Sequence, residues 1–467
     1  MKRFLPTIVM AMLLGGLASY LYFVELPTER ATERAETEEK RVLPFVQSTI
    51  TGLTVRSQGS ELVLSAAEDR TWKIRSPIQT EADSREVESF LRALALAKVS
   101  RVLEDRVPAD QAPTLSTFGL QHPASVIEVQ AGDKRETLSI GDSGPISSTL
   151  YAMRDSDRKV LLTDLAAKDV LNKTLLTFRK KEILSFDQAQ ADRVRLTYPT
   201  TEIVLYRRDS KTTGAVQSPN WYLRYPIEAK ADQPMVRSLL FKLEDLKALG
   251  FVDPGPERDK LAARLVTPLV RVILHAKGAD QTVRLFQPDP ASGEAFAVTT
   301  PDVPIYKINP SVIKELQRDV FALQDKRLLG LERDEIGVLS VKTREAQYTL
   351  VNQTGNWILK DQPEQKLNQE TLDLLISRVV SLPAEIRVVK EPGPLAPYGL
   401  SSPSLEIRAT SLDGKRQGRL TLGKKVNGLV YAMGQVLHGI FQARSDILTQ
   451  IPSKAELARQ PSEKDGS

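Results

Sequence analysis

Apolar and polar residues alternate along this chain in blocks that recur three times. Glu61-Leu62-Val63-Leu64 and Trp72-Lys73-Ile74-Arg75 flank a polar turn. The same arrangement returns as Glu202-Ile203-Val204-Leu205 with Trp221-Tyr222-Leu223-Arg224, and as Gln347-Tyr348-Thr349-Leu350 with Trp357-Ile358-Leu359-Lys360. Period-two alternation on both sides of a turn predicts a β-hairpin in each copy, with tryptophan in its second strand. After each hairpin comes a proline (Pro77, Pro226, Pro363), and the period then changes to that of an amphipathic helix. Asp83 or Ser84 precedes Val87, Phe90, Leu91 and Leu94; Asp232 precedes Val236, Leu239, Leu240 and Leu243; Asn368 precedes Leu372, Leu375, Ile376 and Val379. Short polar side chains at those points suit helix N-caps.

A third landmark follows each helix. It reads Phe118-Gly119-Leu120-Gln121-His122-Pro123, then Ala263-Arg264-Leu265-Val266-Thr267-Pro268, then Tyr398-Gly399-Leu400-Ser401-Ser402-Pro403. Each leads into an alternating strand. Copies one and three share a further hairpin, Leu138-Ser139-Ile140-Gly141 with Tyr151-Ala152-Met153 and Leu420-Thr421-Leu422-Gly423 with Tyr431-Ala432-Met433; Phe296-Ala297-Val298 is the nearest match in copy two. A closing helix is expected in each copy, most clearly from Ser311 to Leu323, where Asn309 at N-cap and Pro310 at N1 favour its start. The repeat landmarks Trp72, Trp221, Trp357, Gly119, Pro123, Pro268, Gly399, Pro403, Tyr151 and Tyr431 therefore read as residues the fold requires.

The N-terminus has a different pattern. Met1, Lys2 and Arg3 precede an apolar run from Phe4 to Val24, about 31 Å long as a helix and so sufficient to cross a bilayer. Basic residues on its short side place the N-terminus in the cytoplasm and the bulk of the chain outside, in the periplasm. A cleavable signal peptide is the competing reading, with Gly16 and Ala18 before Ser19. The expected fold class is α+β: an N-terminal transmembrane helix followed by three tandem, internally repeated modules, each a hairpin, a helix, strands or a hairpin, and a helix. The expected boundaries are 1–24 for the anchor, 25–44 for a charged stalk, 45–187, 188–332 and 333–459 for the modules, and 460–467 for a disordered tail.

Composition narrows the chemistry. The 467 residues hold no cysteine and three histidines, which excludes disulfides, thiolate metal sites and cysteine nucleophiles. Lys and Arg number 64 against 59 Asp and Glu, so the formal charge of +5 is too thin to indicate nucleic acid. Gly141-Asp142-Ser143-Gly144-Pro145 looks like a serine-protease nucleophile loop, yet the third copy has Gly423-Lys424-Lys425 there. A nucleophile also needs a histidine base held by a carboxylate, and His122 falls where the other copies have Thr267 and Ser402. His275 and His438 read as ordinary strand or turn residues. The acidic pairs Asp142 with Asp155 and Glu332 with Asp334 lack the ligand spacing of a calcium loop. The basic runs Arg179-Lys180-Lys181 and Lys424-Lys425 read as solvated faces, with anionic headgroups or polymers as the alternative. No catalytic residue, cofactor site or metal site is assigned.

The apolar N-terminus, the tryptophan hairpin, the Ala82-Asp83 helix start and the Gly119-Leu120 turn with Pro123, repeated from Trp357 to Pro403, together resemble a bacterial family called domain of unknown function 4340. The resemblance implies a membrane-anchored exported protein associated with ABC-type export systems that have gliding-motility-like accessory subunits. It supplies no catalytic residues. The expected function is that of a single-pass, extracytoplasmic interaction or scaffold protein with an envelope protein partner. A binding module for an envelope polymer or small ligand is the alternative, and a hydrolase the third reading.

Overall fold

The computed structural model describes residues 40–458 apart from 58, 105, 109–111, 147, 209–219 and 301–302. The expected anchor, Phe4–Val24, the stalk up to residue 39 and the tail 460–467 lie outside the described residues. Among the described residues no helix is long and apolar enough to cross a membrane.

Strands dominate. The first sheet contains β1 (Gly52–Ser57), β2 (Ser60–Ala66), β3 (Trp72–Ser76), β4 (Thr80–Glu81), β5 (Val99–Glu104), β6 (Ser125–Ala131), β7 (Lys134–Ser143), β8 (Leu150–Arg154) and β9 (Val160–Thr163), in the order β4-β3-β2-β1-β6-β7-β8-β9-β5. The second has β10 (Ala191–Thr197), β11 (Glu202–Arg208), β12 (Asn220–Tyr225), β13 (Ala229–Lys230), β14 (Gly250–Val252), β15 (Val270–Ala276), β16 (Ala279–Phe286), β17 (Ala295–Val298) and β18 (Ile305–Ile308), in the equivalent order. The third has β19 (Ile336–Thr343), β20 (Gln347–Gln353), β21 (Asn356–Leu359), β22 (Ile386–Val389), β23 (Leu405–Ser411), β24 (Gln417–Val426), β25 (Leu429–Gly434) and β26 (Ile440–Arg444). It lacks only the short strand that follows proline in the other two.

This corrects the expected α+β class: each copy is one antiparallel sheet with a single long helix. The hairpins do not stand alone, because β1 pairs on both sides, Leu53 with Leu64 and Val129, and Val55 with Leu62 and Ile127. The closing helices are also shorter than expected. The run from Ser311 breaks into Ser311–Leu316 and Val320–Leu323. Tyr198, in the β10–β11 turn, fills the break: its hydroxyl donates to Leu316 O (2.8 Å) and accepts from Arg318 N (3.1 Å). Asp319 then caps the second piece.

The long helices are α1 (Ser84–Leu96), α2 (Gln233–Glu244) and α3 (Gln369–Ser381). In the first copy α1 joins β4 at one sheet edge to β5 at the other, so it crosses one face of the sheet. Its buried Val87, Phe90, Leu91 and Leu94 pack with Leu53, Leu64, Ile74, Ile127 and Leu138 from alternate strand positions. The opposite sheet face is polar, with cross-strand pairs such as Arg56 and Glu61 at 2.7 Å, the usual division for an antiparallel sheet packed on one side. The exposed edges β5 and β22 carry register shifts, and bulged edges resist pairing with other chains. By compactness the described chain forms two units, residues up to Ile183 with Lys247–Gly250, and Leu184–Leu246 with Phe251 onward.

Candidate functional site

The tryptophans are core residues. Trp72, Trp221 and Trp357 are 4%, 6% and 8% exposed, and the backbone of the first two is tied to the start of the following helix. Ser84 Oγ accepts from Trp72 N at 3.0 Å, and Gln233 exchanges bonds with Trp221 N and O at 2.8 and 3.0 Å. The three helix caps are equivalent. Asp83 accepts from Arg85 N and Glu86 N, Asp232 from Met235 N and Asn368 from Thr371 N. Each cap residue's own N–H donates to the carbonyl of a buried residue at the end of its module's closing helix, Phe178, Leu323 or Leu457. One residue thus satisfies helix donors with its side chain and holds the end of the module with its backbone.

Glycine pairs explain the third landmark. Gly119 and Gly399 have φ of +68° and +71°, a region open to glycine at little steric cost. The turns they make press on Gly141 and Gly423, where an added Cβ would strike the carbonyl oxygens of Phe118 and Tyr398. Tyr151 and Tyr431 meet Phe118 and Tyr398 edge to face, with ring centroids 5.0 and 5.1 Å apart. In the second copy both glycines are absent together. Arg264 stands for Gly119 and, by register, Phe286 for Gly141. Phe286 fills the space with Phe296, Val298 and Ile305, against which Leu261 and Leu265 pack. Pro123, Pro268 and Pro403 each sit just before the strand that the turn feeds.

Ser143 ends β7, exposed, while Gly144 N donates to Thr149 O at 2.9 Å to close the hairpin. Among the described residues no hydrogen bond joins exposed His122 to Ser143 or to a carboxylate. His275 pairs across strands with Asp280 at 2.6 Å, and His438 lies 3.1 Å from Glu391. Among the described residues no group of three His, Asp or Glu side chains is arranged to hold a metal ion.

How the segments that join the modules pair was not visible in the sequence. Arg179-Lys180-Lys181 is not a solvated basic face: Arg179 is 3% exposed, Lys180 pairs with Glu81 at 2.6 Å and Lys181 donates to Thr177 O. The run is an extended joint. In the first unit Lys180 N donates to Glu81 O, and Ala248 N to Lys181 O. In the second unit Asp325 N donates to Lys230 O, Ala384 N to Lys326 O and Leu328 N to Leu382 O. Lys40 and Val42 make the equivalent bonds with Val99 and Ala97. Phe321, from the helix just before the second joint, stacks on Phe441 (5.7 Å, 16°), with the Arg387 guanidinium 4.7 Å from the Phe321 ring centre.

Ionic contacts fix that second joint. Arg327 is forked between Asp325 and Glu332, each at 2.6 Å, and Lys230 reaches Glu332 at 2.7 Å. The Arg327 guanidinium is held above its ordinary range by these carboxylates. Bonding to Arg327, against the opposing cost of burial and with help from Lys230, lowers the Glu332 carboxyl from 4.5 to about 2. A depressed carboxyl contributes stability that is complete above pH 4.5 and lost as pH falls toward 2. The Glu332 side chain is 40% exposed, so solvent screening limits this to about 1 kcal/mol. Acid unfolding of the second unit is therefore expected to differ between the native chain and Glu332→Gln by that amount near neutrality, with the difference vanishing near pH 2. A constant difference across the range would contradict the clamp.

Three copies of one sheet, with the same packing scheme and the same kind of joint, define a tandem-repeat protein. The chain belongs to the family described as Domain of unknown function (DUF4340), whose model matches residues 19–113, 72–265 and 221–385. Two of these matches open on Trp72 and Trp221, and each runs from one copy into the next. No curated protein and no solved structure matches the chain.

Proposed function

We propose that this chain is a non-enzymatic, extracytoplasmic interaction protein, held at the cytoplasmic membrane by its apolar N-terminal segment and serving as an accessory component of an ABC-transporter-type envelope assembly. The observation that carries this reading is a repeated core with solvent faces that differ between copies. The residues with catalytic potential, His122 in a turn and Ser143 at the end of β7, share no hydrogen bond. Surface presentation is what a scaffold needs. Lys2 and Arg3 before the apolar run support export of the bulk of the chain. Crosslinking in membranes followed by affinity purification is expected to retain transporter subunits with the protein. A chain that always elutes alone would refute the reading.

One observation favours a second reading, that of a ligand-binding module. The first copy has a cleft of about 590 Å³ lined by Val46, Ile50, Ala66 and Trp72, with Glu68, Arg70 and Glu88 among its polar groups, within the size range of small-molecule sites. Retention on purified cell-wall polysaccharide, lost on filling the cleft with Ala67→Trp, would support it.

A further inference from the structure

Equivalent registers in the three copies let each solvent-facing position be compared directly. On the polar face of the second sheet, directly opposed residues form one row across six strands: Asp280, His275, Arg193, Tyr206, Tyr222 and Lys230. The same row in the first copy reads Arg135, Gln130, Gly52, Ser65, Lys73 and Glu81. In the third it reads Gln417, Thr410, Val338, Val351 and Ile358. The fold therefore does not require aromatic and arginine residues here. The tyrosine pair, and an arginine at the position of Arg193, occur in this copy alone, and tyrosine and arginine are the residue types enriched at binding hot spots.

The row is ordered in advance. Tyr206 and Tyr222 lie 5.9 Å apart, and the Arg208 guanidinium covers both rings at 5.3 and 4.7 Å. Arg208 also bonds the Tyr206 hydroxyl and reaches Glu228 at 3.2 Å. Exposed Arg193, between His275 and Tyr206, has no ion-pair partner among the described residues. Two rows further along the same face Arg271 and Arg284 oppose each other across β15 and β16, a like-charge pairing that costs stability. With Arg195 added, five arginines share this face with Glu202, Glu228 and Asp280.

We infer that this face of the second module docks an acidic segment of a partner protein. The excess of guanidinium groups selects carboxylates, which arginine binds in bidentate geometry. A stacking sugar is disfavoured, because Arg208 already occupies the tyrosine ring faces. The inference rests on the interaction-protein reading above and names the surface and the chemistry of the partner.

Fluorescence anisotropy of labelled poly-L-glutamate with the full chain tests it. Binding is expected to weaken with salt and to fall at least about tenfold in Arg193→Ser/Arg208→Ser. The control Lys73→Ser/Arg135→Ser, on the matching row of the first copy, should leave it unchanged. Both double variants should keep native hydrogen-exchange protection, since all four side chains face solvent. Absent binding, equal binding by the Arg193/Arg208 variant, or equally tight and equally sensitive binding of polygalacturonate would overturn the assignment, the last by pointing to an anionic glycan. The two readings fail separately: a missing membrane partner does not alter the isotherm, and an insensitive isotherm removes this face alone.

Discussion

Gly423→Val is expected to destabilise the third module by about 3 kcal/mol, the upper end of overpacking costs. The β-carbon has nowhere to go. It would meet the Tyr398 carbonyl oxygen and lie 2.9 Å from Gly399 C, both backbone atoms of the turn that the strand supports. Relief would require the turn to lift, and lifting it would part Tyr398 from Tyr431 and pull Leu400 from the core. Gly399 cannot yield by changing conformation, because its φ of +71° already uses the freedom glycine provides. The second copy shows what tolerance takes. There a phenylalanine replaces the strand glycine only together with loss of the turn glycine, and its ring becomes the local core. Modules of one chain need not unfold together, so hydrogen exchange of the β23–β25 amides is the suitable measurement. Undiminished protection in the variant would refute the close approach.

The features legible in the sequence are those set by neighbours in the chain. Period-two alternation beside Trp72, Trp221 and Trp357 marks strands, and Asp83, Asp232 and Asn368 mark helix starts, because a side chain bonding two or three residues ahead leaves a local pattern. What was hidden depends on distant pairing. Nothing near Val99 announces that β5 pairs with β9 some sixty residues on, so separate hairpins and helices were expected where continuous sheets form. The length of the Ser311–Leu323 helix was misjudged for a similar reason, since the group that interrupts it, Tyr198, comes from a turn more than a hundred residues earlier.

The joints were opaque for a chemical reason. Arg179-Lys180-Lys181 read as a solvated face, and Arg327 drew no role, because the carboxylates that hold them, Glu81 and Glu332, are identified only once the extended segments are in register. The arginine and tyrosine row of the second module was hidden more deeply. Its members come from six strands and share no motif, and only comparison with the matching rows of the other copies distinguishes it from ordinary sheet surface. A repeat makes the fold easier to read by showing what is constant, and the site by showing what is not.

Trp72→Ala is expected to cost the first module about 4 kcal/mol, as removal of a buried aromatic side chain does. The indole is 4% exposed and packs in the core with Ile74, Leu91 and Leu64, so its loss leaves a cavity that strands paired on both sides cannot close. Trp221→Ala and Trp357→Ala should lower the stability of their own modules by a similar amount, because the burial is similar. That equality separates two roles. Trp72 lines the cleft of the first copy, and a ligand platform would make its substitution costly for binding and cheap for folding. Trp72→Phe completes the test: it keeps most of the apolar volume, so the packing role predicts a smaller loss than alanine and unchanged exchange protection at β1 and β6. Polysaccharide retention abolished by Trp72→Phe, with all three alanine variants folded as stably as the native chain, would move the tryptophans from the core of the fold to its ligand site.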